Sequence, residues 1–180
     1  MSDPMTAMTY LERAARVKLM IFDVDGVLTD GSLHYGADGE ALKTFNVHDG
    51  LGIKLIQEAG IQTAIISART SPQVIKRAAD LGISHLHQGG HDKLTPFNAL
   101  LEKTGLSAEQ VGFIGDDVVD LPILSRVGFA VAVPNGRQEV LERAHHTTVA
   151  FGGRGAVREV CELLMHAQDS YARVMAQFLV

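Results

Sequence analysis

The 180 residues are 46% hydrophobic and 21% charged, with a formal net charge of -5 and one cysteine. That length suits one domain, 1–180, with a sizeable core, and an acidic chain without a Lys/Arg run argues against nucleic-acid binding. The lone Cys161 excludes an intrachain disulfide and a cysteine-rich zinc site. No stretch approaches the roughly 18 apolar residues of a membrane span, and Met1 to Arg16 lacks the apolar core of a signal peptide. The expectation is a cytoplasmic protein with no membrane partner.

Residues 1–16 read as a polar arm with one helical turn around Tyr10-Leu11. Leu19-Met20-Ile21-Phe22 then reads as a strand buried on both faces, spanning about 17–23, and it runs straight into Asp23 and Asp25. Two residues apart on extended backbone, these acids share a side, and Gly26 lets the chain turn away. Glycines at 31, 36 and 39 between short apolar-polar runs predict a hairpin over 31–46. A helix follows from about Asp49 to Gly60.

Further strands are expected near 62–67, 84–88, 110–115 and 129–133, with helices between them. Gly60, Gly82, Gly105 and Gly128 each follow a helical stretch and precede an apolar residue, which is helix C-cap chemistry. Ser71-Pro72 offers an N-cap and a proline in the first turn, and Ser107 caps a short turn. Such alternation predicts an α/β fold, a doubly wound, Rossmann-like parallel sheet with the hairpin inserted after the first strand. His145-His146 reads as a surface turn, and the 169–180 tail carries Tyr171, Val174, Met175 and Phe178 at helical spacing.

The chemistry gathers at predicted strand ends, where open α/β sheets bind ligands. Asp23 and Asp25 follow the first strand, Ser67 and Arg69 the second; Lys93 opens a helix, and Asp116-Asp117 with Asp120 follow a later strand. So many carboxylates on one edge require a cation, and hard oxygen ligands beside a phosphate suit Mg²⁺. Ser67 and Lys93 complete a phosphate cradle. His85, His87 and His91 read as solvated rather than as a zinc site.

In order and spacing, Asp23-Val-Asp25-Gly26, Ser67, Lys93 and Gly115-Asp116-Asp117-x-x-Asp120 resemble the four motifs of the haloacid-dehalogenase-like phosphatases. A fuller likeness is to their 3-deoxy-D-manno-octulosonate (KDO) 8-phosphate phosphatase family, carried by 23–31, Phe45–Gly50, Leu81–Leu86 and Gly152–Cys161. The resemblance implies that Asp23 attacks phosphorus and that Asp25 protonates the leaving group and then activates water. It implies Mg²⁺ held by Asp23, the Asp25 carbonyl and Asp116, with Asp117 or Asp120 assisting. Arg69, Arg154, Lys43 and Gly26 are candidate substrate contacts. His48 departs from the pattern, standing where the family commonly carries arginine. No cap domain fits between the motifs, so the resemblance implies a homotetramer with paired hairpins and a neighbour's C-terminal tail near the site.

Two other readings remain at this stage: a phosphatase for a nine-carbon sugar-acid 9-phosphate, and a receiver-like phosphoryl-accepting module. A receiver has no acid two residues beyond its acceptor, and Asp25 stands there. The expected activity is hydrolysis of a sugar-acid phosphate in lipopolysaccharide precursor synthesis.

Overall fold

The computed structural model describes residues 8–180. Six parallel strands make one sheet: β1 (Leu19–Phe22), β4 (Gln62–Ser67), β5 (His85–Gln88), β6 (Val111–Gly115), β7 (Phe129–Ala132) and β8 (His146–Thr147), in the order β5-β4-β1-β6-β7-β8. The sheet is therefore doubly wound outward from β1, and the switch point lies there. A separate antiparallel hairpin, β2 (His34–Gly36) and β3 (Gly39–Leu42), follows β1 as expected. Its turn is tighter than the sequence suggested, with only Ala37 and Asp38 between the strands.

Period-two alternation decides which residues meet which layer. Met20 and Phe22 face a cluster with Ile53, Val74, Val160 and Leu164, on α2 (Val47–Glu58), α3 (Pro72–Asp80) and α7 (Ala156–Ala167). Leu19 and Ile21 face the opposite cluster, with Phe97, Leu100, Ile123 and Val140 on α4 (Leu94–Thr104), α5 (Leu121–Leu124) and α6 (Gln138–Arg143). All four β1 side chains are fully buried, each stabilising the fold by about 1.5–3 kcal/mol. Cys161 belongs to the first cluster, and burial raises its thiol pKa far above the usual range.

The helical turn expected around Tyr10-Leu11 is α1 (Tyr10–Ala14), started by a capping box between Thr9 and Glu12; residues 1–7 of the arm lie outside the described residues. Several other local expectations need revising. Helix α2 starts at Val47, two residues early, because the Asn46 side chain accepts from His48 and Asp49 N–H. Gly60, Gly82 and Gly105 adopt positive φ, but Gly128 does not. A side chain at Gly128 would overlap the Glu109 carbonyl, so close approach demands this glycine. Ser71 occupies the N-cap without capping, since its hydroxyl turns to Gln73 Oε1 at 2.7 Å.

His145-His146 is no surface turn. His145 N–H donates to the Ala130 carbonyl at 2.8 Å, its Nδ1 accepts from Ala130 N–H at 2.9 Å, and His146 begins β8. The tail is helical, as its apolar spacing implies. In α8 (Tyr171–Met175), Val174 is buried in the chain's own core, and Tyr171 and Met175 pack against it. Only Phe178 of that stripe is exposed. Among the described residues, no helix is long and apolar enough to cross a membrane.

Candidate active site

Strand register converts four separated motifs into one site. Phe22 pairs with Ile65 on β4 and Ile114 on β6, so the next residues of all three strands emerge together. Asp23 N–H still donates to Ile114 O at 3.1 Å, which extends the ladder and fixes the carboxylate at the switch point. A cleft of about 330 Å³ opens there, lined by Asp23, Asp25, Ser67, Arg69, Lys93 and Asp116 among others.

Beyond Asp23 the chain coils tightly. Val27, Leu28 and Thr29 N–H all donate to the Val24 carbonyl, and the buried Thr29 hydroxyl accepts from Gly26 and Gly31 N–H. Gly26 has φ of 87°, and a side chain there would overlap the Asp116 carboxylate. Its carbonyl accepts from Asn135 Nδ2 at 2.9 Å, while Asn135 Oδ1 accepts from Gly152 N–H at 2.8 Å. Gly26 therefore shapes the acidic pocket through its backbone.

Lys93 is the electrostatic centre. It occupies the N-cap position of α4, yet its side chain is 1% exposed. The ammonium donates to Asp23 Oδ1 at 2.7 Å and Asp120 Oδ1 at 2.6 Å. Burial alone would lower its pKa, but the two carboxylates outweigh that and raise it. Asp120 is completed by Asp116 and Asp117 N–H, both donating to Oδ2. Asp117 caps the following turn through Val118 N–H.

Burial first, and then the neighbouring carboxylates, push Asp23 and Asp116 well above the usual carboxylate range, with Lys93 opposing this at Asp23. That repulsion is itself the fit test for a cation. Asp23, Asp116 and Asp120 bring carboxylate oxygens within 4.8 Å of one another. Asp120 is already engaged by Lys93 and two backbone donors, which leaves Asp23 and Asp116 as the available pair. An all-oxygen set of this kind fits a small, hard divalent ion.

The substrate-contact candidates separate. Arg69 lines the cleft, its Nη2 donating to Tyr35 OH at 3.1 Å and Glu40 Oε2 at 3.2 Å. Lys43, also a candidate substrate contact, is instead enclosed between Asp25 and Glu40 and does not line the cleft. Arg154 is exposed and rests 3.6 Å from Asp30, also away from the cleft lining. His48 is exposed at the start of α2. Of the three histidines, only His91 joins the cleft, and no histidine cluster suited to a metal occurs among the described residues.

Comparison with known proteins identifies the family. A family model for haloacid dehalogenase-like hydrolases matches residues 83–152. The chain is 47% identical over 167 residues to the 3-deoxy-D-manno-octulosonate 8-phosphate phosphatase of Escherichia coli K12, covering 93% of this chain and 89% of that one. The chain belongs to this family of haloacid dehalogenase-like hydrolases. The Yersinia pestis phosphatase of the same name is also 47% identical, over 88% of this chain and 85% of its own. A crystal structure of the Moraxella catarrhalis phosphatase, in complex with magnesium, phosphate and KDO, superposes with a TM-score of 0.91. Its identity is 42%, over 94% of this chain and 97% of that one.

Sequence reading of this haloacid dehalogenase-like hydrolase missed Glu40, Thr29 and Asn135. Pro134-Asn135-Gly136 just past β7 is a turn signal at a strand's carboxyl end, and it was the available clue to Asn135. Nothing local marked Glu40.

Proposed function

We propose that this chain is a Mg²⁺-dependent phosphomonoesterase that hydrolyses KDO 8-phosphate to KDO and phosphate. The observation that carries this reading is Asp23 at the sheet's switch point, paired to a buried lysine, with Asp25 beside it on the same cleft. The 47% identity to named KDO 8-phosphate phosphatases supports the substrate.

Asp23 is the nucleophile. Its carboxylate attacks phosphorus, the bond from phosphorus to the sugar oxygen breaks, and Asp25 gives its proton to the leaving alkoxide. Asp25, now a carboxylate, takes a proton from a water that attacks the aspartyl-phosphate, releasing phosphate and restoring Asp23. Dividing hydrolysis in this way replaces one difficult step by two easier ones. Lys93 has three donors and engages two, on Asp23 and Asp120. The third, with Ser67 at the end of β4, suits a phosphate oxygen. Asp23, the Asp25 carbonyl and Asp116 would hold Mg²⁺, with Asp117 and Asp120 outside the direct ligands. The ion supplies charge neutralisation between the carboxylates and the phosphate dianion. Arg69 is the candidate for the sugar carboxylate.

A homotetramer completes the proposal, because the cleft has no cap and the hairpin exposes Leu33, Tyr35 and Leu42. Light scattering of the purified protein tests it, and a monomer at working concentration would rule it out. For the activity, the purified chain is assayed with KDO 8-phosphate, a nine-carbon sugar-acid 9-phosphate and hexose phosphates. KDO 8-phosphate should have the highest kcat/KM; a higher value for the nine-carbon substrate would reassign it. Asp23→Asn should lose about 10³-fold or more of turnover, and no phosphate release at all from wild type would exclude the phosphatase reading in favour of the receiver-like one.

A further inference from the structure

The hairpin reaches the active site through one enclosed side chain. Lys43, just beyond β3, has a side chain 1% exposed, and its ammonium lies 2.5 Å from Asp25 Oδ1 and 3.2 Å from Glu40 Oε2. Glu40 Oε2 also accepts from Arg69 Nη2, and Arg69 Nε stands 4.0 Å from Asp25 Oδ2. Asp25, Lys43, Glu40 and Arg69 thus close a ring of alternating charge. Two of its members come from the hairpin region and two from the ends of β1 and β4.

A lysine so enclosed requires charged partners, and partners on either side hold it in place. Asp25 needs such a fixture. It sits in the turn after β1 rather than in a strand, and the groups facing its carboxylate are Lys43 and, at 4.0 Å, Arg69, both from outside that turn. Lys43 engages Oδ1, whereas Arg69 Nε at 4.0 Å is too far to hydrogen-bond Oδ2, which leaves Oδ2 as the oxygen for proton transfer. A cation meant for the substrate would line the cleft, and Lys43 does not.

We propose that Lys43, held by Glu40, is a positioning residue for Asp25, so that the hairpin's placement sets the geometry of proton transfer. The inference rests on the acid–base assignment of Asp25 made above. It predicts a defect tied to leaving-group protonation, since displacement of a catalytic group by about 1 Å can cost 10²-fold.

The test uses substrates without a sugar: phenyl, p-nitrophenyl and 2,4-dinitrophenyl phosphate, whose leaving groups need progressively less protonation. For Lys43→Met, kcat/KM should fall about 10²-fold with phenyl phosphate and change little with the dinitrophenyl ester. An equal loss on all three, or none, overturns the proposal. In an Asp25→Asn background, Lys43→Met should add no further loss; an added loss shows that it acts elsewhere. If Lys43→Met does not fold, Glu40→Gln keeps the shape and should steepen the same dependence more weakly, and an unchanged dependence there overturns the proposal. Asp25→Asn alone serves as the reference. If it fails to steepen the dependence, the acid–base assignment falls; if it steepens and the Lys43 and Glu40 variants do not, only the positioning role falls.

Discussion

The Lys93 ammonium lies 2.7 Å from Asp23 Oδ1, although 70 residues separate the two in the chain. With Asp120 on its other side, Lys93 fixes the Asp23 carboxylate and partly offsets the acids crowded at the sheet edge. Removing it leaves two buried carboxylates without their counter-charge. Lys93→Met should therefore cost about 3–5 kcal/mol in urea unfolding and about 10²-fold or more in kcat. A variant of wild-type stability would show that the pair is energetically minor.

Binding of Mg²⁺ relieves the same repulsion, so it should be visible in stability as well as in turnover. At 100 times its dissociation constant the ion adds about 2.7 kcal/mol, read as a rise in Tm. Chelation should abolish activity, Mg²⁺ should restore it, and Ca²⁺ should restore it poorly because its larger, looser shell misplaces the phosphate. Gly26→Ala should weaken the Mg²⁺-dependent rise, because the new methyl displaces Asp116. Full activity after exhaustive chelation would remove the metal from the mechanism.

Arg69 and Arg154 were equal candidates for the sugar acid, but their placements predict unequal effects. Arg69 faces the cleft, whereas Arg154 rests on Asp30 outside its lining. Arg69→Ala should lower kcat/KM for KDO 8-phosphate much more than for p-nitrophenyl phosphate, and Arg154→Ala should have a smaller effect. Equal losses on both substrates with Arg69→Ala would indicate phosphate binding or structure instead.

Away from the site, His145 gives a pH signature. Burial, and then the Arg13 charge, hold its pKa below the ordinary value, and its Nδ1 must stay unprotonated to accept from Ala130 N–H. Because the unfolded chain then binds the proton more tightly, this contribution is present above about pH 6.5 and lost below it, by at most about 1.4 kcal/mol per pH unit. His146 and His85, also lowered by burial, act in the same direction. His145→Asn keeps an acceptor near Nδ1 and should flatten part of the decline between pH 6.5 and 5 in denaturant titrations. An identical slope in wild type and variant would exclude His145 as its source.

The sequence by itself determined the sheet and where its chemistry lies. Leu19–Phe22 is apolar on both faces and ends in acid, and the glycine-punctuated alternation of helix and strand permits little besides a parallel sheet. In such a sheet Asp23, Ser67 and Asp116 must gather on one edge, because every strand points the same way. What only the tertiary structure decided is how each charge is partnered. Lys43 and Arg69 look alike in the sequence, yet one is enclosed against Asp25 and the other faces the cleft. Asn135 ties Gly26 to Gly152 across three separate loops. Strand β8 has two residues, too few for any period to register, and exists because β7 offers it an edge. The tail's apolar stripe stated that one face would be covered, and packing chose the chain's own core for Val174. Periodicity encodes that a face is apolar and where the backbone turns. Which neighbour meets that face, or neutralises a given charge, follows from packing among segments far apart in the chain.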